Sequence, residues 1–285
     1  GRPSSAASRR DRLLLAIIKA GWTLPSNKFR FLTRTLAENG IIQEVVGINT
    51  PTATLSEDWA LDALERLIPT LCRPFAHLID EIAIDGTGMS SSQRHQWRED
   101  YYGGRHMKPL SKEEKDKIWE RWRLWEGAHL CTSTRLGIIV AATMSPNTNQ
   151  GIHITRKLLQ LTRTEAQCMF RDVSGDGAYT TVLGFALVES FNATLWAPLK
   201  ADSQRGGHNP AWARAFDRFF ETPEIFDERY GRRSIVEGVI NALKTAAGEK
   251  LVCGKLQSQL KYALMPAADQ RADDKRRQRI RWRSE

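Results

Sequence analysis

The sequence predicts an α/β protein in which helices flank a mixed sheet. Short apolar runs end in glycine-rich turns, as strands do, and amphipathic helical patterns separate these runs along the chain. The composition agrees, since 41% hydrophobic and 26% charged residues describe an ordinary globular chain. Its 285 residues are enough for one large domain or two smaller ones.

The first part of the chain, residues 1–78, is predicted to be a helical region. Helical patterns over residues 9–21 and 26–40 both end on glycine, a common helix stop. A third pattern is expected to end before Pro69, because proline interrupts helix hydrogen bonding. The region contains no clear helix-turn-helix pattern, so its role stays open between a support for the following domain and a DNA-binding element.

The element order changes after this region. The alternating run EIAIDGTG predicts a strand that delivers Asp85 to its C-terminal end. A charged, aromatic stretch over residues 90–125 has a capping-box pattern and predicts a helical insertion. A hairpin with its turn near residues 133–137 follows, and then helix, strand, helix, strand and helix. This order is that of the ribonuclease-H-like fold, which we expect over residues 79–250.

The charge balance of the chain is basic, with 42 Lys and Arg against 33 Asp and Glu. Much of the excess lies at the two ends, including a basic C-terminal segment over residues 251–285, and it predicts a polyanionic partner such as nucleic acid. The four cysteines form no C-x-x-C pair, which argues against a zinc ribbon or a disulfide framework and favours a reducing cytoplasm. No apolar run approaches the roughly 20 residues that cross a bilayer, so we expect no membrane association.

Three acidic residues are candidates for a metal site. Asp85 and Asp176 each precede a glycine at a predicted strand end, and Glu237 lies on a predicted helix. Carboxylate oxygens suit Mg²⁺ or Mn²⁺ better than zinc, and a pair of such ions can catalyse displacement at phosphorus. Asp-Gly is also ordinary turn chemistry, so each aspartate alone has a structural explanation. Asp172, four residues earlier, is an alternative to Asp176.

The stretch YGRRSIVEGVINALK, residues 230–244, is predicted to form one helix with two different faces. One face is apolar and consists of Val236, Val239, Ile240 and Leu243. The opposite face presents a phenol, a guanidinium, a carboxylate and an ammonium, from Tyr230, Arg233, Glu237 and Lys244. Taken alone, this polar face is more simply explained as a solvated surface with an ordinary i,i+4 ion pair. Beside three carboxylates, its cations would instead hold a phosphodiester.

These motifs together resemble a known family. The pattern Tyr-x2-Arg-x3-Glu-x6-Lys is met in full from Tyr230 to Lys244, and it resembles the YREK signature of DDE transposases from bacterial insertion sequences. The segments IAIDGTGMS and GDGAYTT are similar to the two aspartate blocks of that family, and GIIVAATMSPNTNQG resembles the segment between them. The resemblance covers roughly residues 80–250.

The resemblance implies a function and a set of site residues. The implied catalytic and metal-binding residues are Asp85, Asp176 and Glu237, with two Mg²⁺ ions for which Mn²⁺ can substitute. The implied DNA-binding residues are Tyr230, Arg233 and Lys244. The family cuts double-stranded DNA at terminal inverted repeats and joins the freed 3′-hydroxyls to target DNA. It works as a homodimer or higher multimer on DNA, which implies a cytoplasmic, nucleoid-associated protein.

Some features depart from the family or leave alternatives open. The interval between Asp176 and Glu237 is too short for the β-rich insertion that some members use to flip a base, and Trp196 or Trp212 would have to supply that aromatic. A nuclease of the same fold that cleaves without joining remains an alternative. So does a catalytically silent, transposase-derived DNA-binding protein. His129 and His153 are not assigned to the site, since a lone histidine is more often structural.

Overall fold

The computed structural model describes residues 7–21, 26–55, 57–91, 126–145, 151–200, 202–206, 209–247 and 250–251. The helical insertion was predicted over residues 90–125, but residues 90 and 91 belong to a strand, and residues 92–125 lie outside the described residues, as does the basic C-terminal segment beyond residue 251. Within the described ranges, no helix combines the length and the apolar composition needed to cross a membrane.

A five-stranded mixed sheet forms the centre of the molecule. Its strands are β1 (Glu81–Ser91), β2 (Glu126–Ser133), β3 (Ile139–Ser145), β4 (Asp172–Ser174) and β5 (Thr194–Trp196). Strand β2 pairs antiparallel with β1 and β3, whereas β4 pairs parallel with β1 and β5, so the spatial order is β3-β2-β1-β4-β5. A two-residue strand, β6 (Lys250–Leu251), pairs with the end of β1.

Helices precede, connect and follow these strands. Before the sheet come α1 (Arg9–Gly21), α2 (Ser26–Glu38), α3 (Thr50–Thr54) and α4 (Asp58–Cys72). Helix α5 (Ile152–Gln160) joins β3 to β4, and α6 (Val182–Glu189) joins β4 to β5. The last helices are α7 (Pro210–Glu221), α8 (Pro223–Gly231) and α9 (Ser234–Ala247). The predicted mixed α/β class, including helices before the sheet, is therefore confirmed.

Each face of the sheet packs against its own helices. Side chains alternate between the faces along a strand, so Ile84 points to one side and Ala83 to the other. The first face packs against α5, α6 and α7 through Leu158, Phe185 and Ala215. The second face packs against α4 and α9 through Leu64, Ile68, Val236 and Ile240. Asp85 shares the second face with Ala83 and therefore points toward the layer that contains α9.

Helix α4 extends beyond its predicted end. The sequence predicts a stop before Pro69, but the helix continues through this residue to Cys72. An interior proline costs about 3 kcal/mol in an isolated helix. Ile68 and Cys72 on either side of it are completely buried against the sheet, and this packing keeps the last turn helical.

The predicted single helix over residues 230–244 is wrong. Helix α8 ends at Gly231, and α9 begins at Ser234 after a turn formed by Arg232 and Arg233. Glycine at the junction weakens helix continuity, and both arginine side chains bind carboxylates of β1. The apolar face of α9 is as predicted, since Val236, Ile240 and Leu243 are buried.

Candidate active site

Asp85 lies in the middle of β1 and not at its end. The prediction of a strand end at Asp85 is wrong, because β1 continues to Ser91. The carboxylate is 8% exposed. Its Oδ1 accepts a hydrogen bond from the Gly86 amide at 2.8 Å, and its Oδ2 accepts one from Nη2 of Arg233 at 3.1 Å. Asp85 is thus held in one orientation, with Oδ2 facing the turn between α8 and α9.

Strand register brings Asp176 next to Asp85. The parallel pairing of β1 with β4 matches Glu81 to Asp172, and each later residue pairs in step up to Ser174. Two further residues at the same offset bring the chain to Asp176, level with Asp85. The Asp176 Oδ1 accepts a hydrogen bond from the Ala178 amide at 3.0 Å, and Oδ2 has no hydrogen bond within the described residues. The prediction that β4 runs into a turn carrying Asp176 is confirmed.

The alternative acid, Asp172, has a structural role. It starts β4 opposite Glu81, about 13 Å along the strand direction from the level of Asp85 at 3.3 Å per residue. Its Oδ1 accepts a hydrogen bond from the Trp196 indole at 2.6 Å, and its Oδ2 lies 3.5 Å from Arg229. These contacts hold the Asp172 side chain beside Glu81, away from Asp85. Asp176 is therefore the acid that lies beside Asp85.

Two close contacts explain the small residues around Asp176. A Cβ on Gly175 would come within 2.9 Å of the Tyr179 ring, and a Cβ on Gly184 would come within 2.5 Å of the Tyr179 carbonyl oxygen. Tyr179 is buried, and that burial, followed by the charges of Asp85 and Asp176, raises the pKa of its phenol. Glycines at both positions therefore allow the buried tyrosine to pack beneath the loop that carries Asp176.

Arg233 connects Glu237 to Asp85. Its Nη1 donates to Oε1 of Glu237 at 2.6 Å, one helical turn away, while Nη2 binds Asp85. The Arg233 side chain is 16% exposed and the Glu237 side chain 54% exposed. Glu237 thus reaches the site from the solvent side, with the guanidinium between the two carboxylates.

The charges of Asp176 and Glu237 both act on the carboxylate of Asp85. Burial raises the pKa of Asp85 above its ordinary value of 3.8, and the negative charges of Asp176 and Glu237 act in the same direction. The Gly86 hydrogen bond and the Arg233 charge oppose this rise without reversing it. One guanidinium and one amide hydrogen bond therefore do not offset the burial of Asp85 together with the neighbouring negative charges.

The remaining predicted residues lie at unequal distances from these acids. Tyr230 stacks on Phe226, with ring centroids 5.5 Å apart, and its backbone carbonyl accepts from the Arg233 amide at 2.9 Å. Lys244 lies in the last turn of α9, about 10 Å along the helix from Glu237 at 1.5 Å per residue. Among the described residues no hydrogen bond or ion pair joins Lys244 to the other five, and its distance along α9 places it at the rim of the site.

The donor set fits a hard divalent cation, but the carboxylates are not yet grouped around one. In the described part of the chain, no set of three or more His, Cys, Asp or Glu side chains is close enough to hold a metal ion as it stands. Arg233 donates a hydrogen bond to one carboxylate oxygen of Asp85 and to one of Glu237. Its buried Nε has no acceptor among the described residues. A cation that binds the same two oxygens would displace a guanidinium that is itself incompletely satisfied.

The aromatic candidates lie elsewhere. Trp196 is buried in the sheet, and Trp212 packs edge-on against Phe185 with ring centroids 5.6 Å apart. His129 is buried, which lowers its pKa to about 4, and its Nε2 lies 2.9 Å from Ser145. These placements match the structural roles expected for the histidine and for Trp196.

One group of charges beside the site was not predicted from the sequence. Glu81 lies on the same face of β1 as Asp85 and binds Arg229 and Arg232. The sequence did contain a signal for this group: Glu81 lies four residues before Asp85, which places both on the same face of a strand, and a second arginine, Arg232, adjoins Arg233.

Comparison of the chain with protein-family models, with curated proteins and with solved structures finds no match.

Proposed function

We propose that the protein is a metal-dependent DNA transposase with a ribonuclease-H-like catalytic domain. The observation that carries this proposal is that three acids from separate elements lie on one side of the sheet: Asp176 is level with Asp85 in the strand register, and Arg233 links Asp85 to Glu237. The strand order β3-β2-β1-β4-β5, with β2 antiparallel to both neighbours, supports the ribonuclease-H-like assignment. The full YREK pattern supports the choice of a transposase within that class.

In this proposal the three carboxylates hold two Mg²⁺ ions, or Mn²⁺ in their place. When bound, the ions supply positive charge to the attacking and leaving oxygens of an in-line displacement at phosphorus. Asp85 presents Oδ2 in a fixed direction because Oδ1 is held by the Gly86 amide. Asp176 is held in the same way by the Ala178 amide, which leaves its second oxygen available.

The cationic residues of the turn and of α9 bind the DNA backbone. A guanidinium released from Asp85 and Glu237 keeps its charge and binds phosphate oxygens through two parallel hydrogen bonds. Tyr230 precedes this turn and can donate its hydroxyl to a phosphate, and Lys244 lies far enough along α9 to meet a neighbouring phosphate. We propose a multimer on paired ends, as the resemblance implies.

The chemistry consists of two displacements at phosphorus. In cleavage, a water oxygen bonds to phosphorus as the P–O3′ bond breaks, which leaves a 5′-phosphate and a free 3′-hydroxyl. In joining, that 3′-oxygen bonds to a target phosphorus as the P–O3′ bond of the target breaks. Each attacking oxygen gives up one proton and each leaving oxygen gains one, so no oxidant or external energy source is required.

Nicking and joining of supercoiled plasmid DNA tests the proposal. The wild-type chain is compared with Glu237→Gln in Mg²⁺, in Mn²⁺ and in EDTA, and Glu224→Gln on α8 is the matched control because it removes an exposed carboxylate outside the site. We expect metal-dependent nicks and joined ends with the wild type and the control, and neither with Glu237→Gln.

Each alternative function has its own outcome. Nicks without joined ends would identify a nuclease of the same fold. A wild type that retards DNA in a gel without cutting plasmids that carry candidate terminal inverted repeats would identify a DNA-binding protein without catalysis. Equal activity of the wild type and Glu237→Gln would remove Glu237 from the site.

A further inference from the structure

The turn between α8 and α9 is tied to the sheet at a second point besides Asp85. Nη1 of Arg232 lies 2.5 Å from both carboxylate oxygens of Glu81, and Arg229 also binds Glu81 through Nη1. The Glu81 side chain is 12% exposed. The hydroxyl of Thr134 donates to the same carboxylate at 3.2 Å. A nearly buried carboxylate therefore holds two arginines from the end of α8 and the turn that follows.

Strand β4 adds further contacts to the same attachment. Asp172 Oδ2 lies 3.5 Å from Nη1 of Arg229, and the Ser174 hydroxyl donates to the backbone carbonyl of Arg229 at 3.4 Å. Asp172 is itself held by the Trp196 indole on β5. Three neighbouring strands thus contribute to holding the end of α8, which makes this attachment more rigid than a single surface ion pair.

The spacing of the two attachment points sets the register of α9. Glu81 and Asp85 lie on the same face of β1, about 13 Å apart. Arg232 and Arg233 are adjacent in the chain, with Cα atoms about 3.8 Å apart, so their side chains must diverge to reach the two acids. Glu237 follows Arg233 by one helical turn. A slip of the turn along β1 would therefore move Glu237 away from Asp85.

An exposed contact of Arg232 provides an internal comparison. Its Nη2 binds Oε1 of Glu228 at 2.7 Å, but Glu228 lies on α8 and its side chain is 66% exposed. This i,i+4 pair connects α8 only to the turn that follows it. Glu81 is the partner that connects Arg232 to the sheet.

We propose that Glu81 is a positioning residue, which holds Arg229 and Arg232 so that α9 presents Glu237 to Asp85 and Asp176. The inference rests on the proposed function for the role of those three acids. In this role Glu81 acts as neither a metal ligand nor a DNA contact. Its effect passes through the turn, in the way that outer-shell partners orient the ligands of other metal sites.

Glu81→Gln in the full chain tests this role, and Glu228→Gln is the matched control. Both substitutions remove one carboxylate that binds Arg232, and only the first removes a link to the sheet. The Mn²⁺ dissociation constant is measured from the electron paramagnetic resonance signal of free Mn²⁺. Hydrogen exchange of the backbone amides of residues 234–240 is measured on the same protein variants in the absence of metal.

We expect Glu81→Gln to weaken Mn²⁺ binding by about tenfold, the lower end of the range for lost outer-shell partners. We also expect the first turn of α9 to exchange roughly tenfold faster, because its attachment to the sheet is weakened. Glu228→Gln should change both quantities less than twofold. Arg232→Lys should retain more of the Mn²⁺ affinity than Arg232→Ala, since lysine keeps the charge that Glu81 binds.

Other outcomes separate this inference from the proposed function. Lower thermal stability of Glu81→Gln with unchanged Mn²⁺ affinity and unchanged α9 exchange would make Glu81 a purely structural residue. A wild-type chain that binds no Mn²⁺ would overturn the proposed metal site. In that case faster α9 exchange in Glu81→Gln would still support the attachment, and unchanged exchange would overturn it too.

Discussion

Two carboxylates on one face of β1 have pKa values that are shifted in opposite directions. Glu81 and Asp85 are four residues apart, are almost equally shielded from solvent, and each accept hydrogen bonds from arginines of the α8–α9 region. Burial of Glu81 acts to raise its pKa, but the hydrogen bonds and charges of Arg232 and Arg229 outweigh burial and hold the pKa below its ordinary value of 4.5. Burial raises the pKa of Asp85 despite Arg233.

The difference comes from how far the arginine contacts offset the burial of each carboxylate. Two guanidiniums surround Glu81, so its ionised form is favoured and attaches α8 to the sheet. Asp85 has one guanidinium, which it shares with Glu237, and the charge of Asp176 nearby. Burial and position on a strand are thus not enough to identify a reactive carboxylate. A divalent cation would favour the ionised form of Asp85, which burial and the two neighbouring carboxylates disfavour.

The largest expected difference between the two carboxylates is in catalysis. Asp85→Asn should lower metal-dependent strand joining by about a hundredfold to a thousandfold, as when a single group that stabilises transition-state charge is lost. Glu81→Gln should lose at most about tenfold at low Mg²⁺ and recover as Mg²⁺ is raised, because its defect is in metal affinity. Joining rates over a range of Mg²⁺ concentrations provide the measurement. Equal losses that persist at saturating Mg²⁺ would contradict the assigned roles.

Stability should change most at Glu81. Glu81→Gln removes charged hydrogen bonds from a nearly buried site and should lower the free energy of unfolding at pH 7 by about 2 kcal/mol. The native pKa of Glu81 is lowered, so its contribution is fully present above the unfolded value and is lost as the pH falls through the lower, native value. Urea unfolding from pH 7 down to pH 3 should show the gap between wild type and variant closing. A gap that is independent of pH would point to packing instead of charge.

Arg233 should compete with the metal. Arg233→Ala removes the cation that lies between Asp85 and Glu237, and should tighten Mn²⁺ binding by about tenfold, equivalent to roughly 1.4 kcal/mol. It should also weaken DNA binding and joining, because the phosphate loses a guanidinium. The control is Arg205→Ala, which removes an exposed arginine paired with Asp217. Weaker Mn²⁺ binding in Arg233→Ala would show that Arg233 orients the ligands and does not compete for them.

The smallest expected effect is a gain in stability at Asp85. Its native pKa is raised, so the ionised form costs stability above that native value, and the cost disappears below the unfolded value of 3.8. Asp85→Asn should therefore raise the free energy of unfolding at pH 7 by about 0.5–1 kcal/mol, as often occurs when a strained functional group is replaced. Glu81→Gln should change stability in the opposite direction. A loss of stability in Asp85→Asn would mean that the contact of Asp85 with Arg233 outweighs the cost of burying its charge beside Asp176 and Glu237.

Local sequence patterns predicted most of the elements near the site. The helices before the sheet, the hairpin of β2 and β3, and the turn that carries Asp176 depend on short-range apolar periodicity and on glycine, and all are present. The extension of α4 through Pro69 and the break at Arg232–Arg233 were missed. In both places contacts with the sheet outweigh the local helix preference, and a pattern read along the chain does not contain those contacts.

The sequence by itself determined the mixed α/β class, the candidate acids Asp85, Asp176 and Glu237, and the apolar face of α9. These follow from residue type and from periodicity over a few turns or strand alternations. Only the tertiary structure decided that Asp176, and not Asp172, lies level with Asp85, and that Arg233 lies between Asp85 and Glu237. It also decided that Glu81 attaches the α8–α9 turn to the sheet. The physical reason is that strand register and ion pairing join residues far apart in the chain, and these relations depend on how the elements pack.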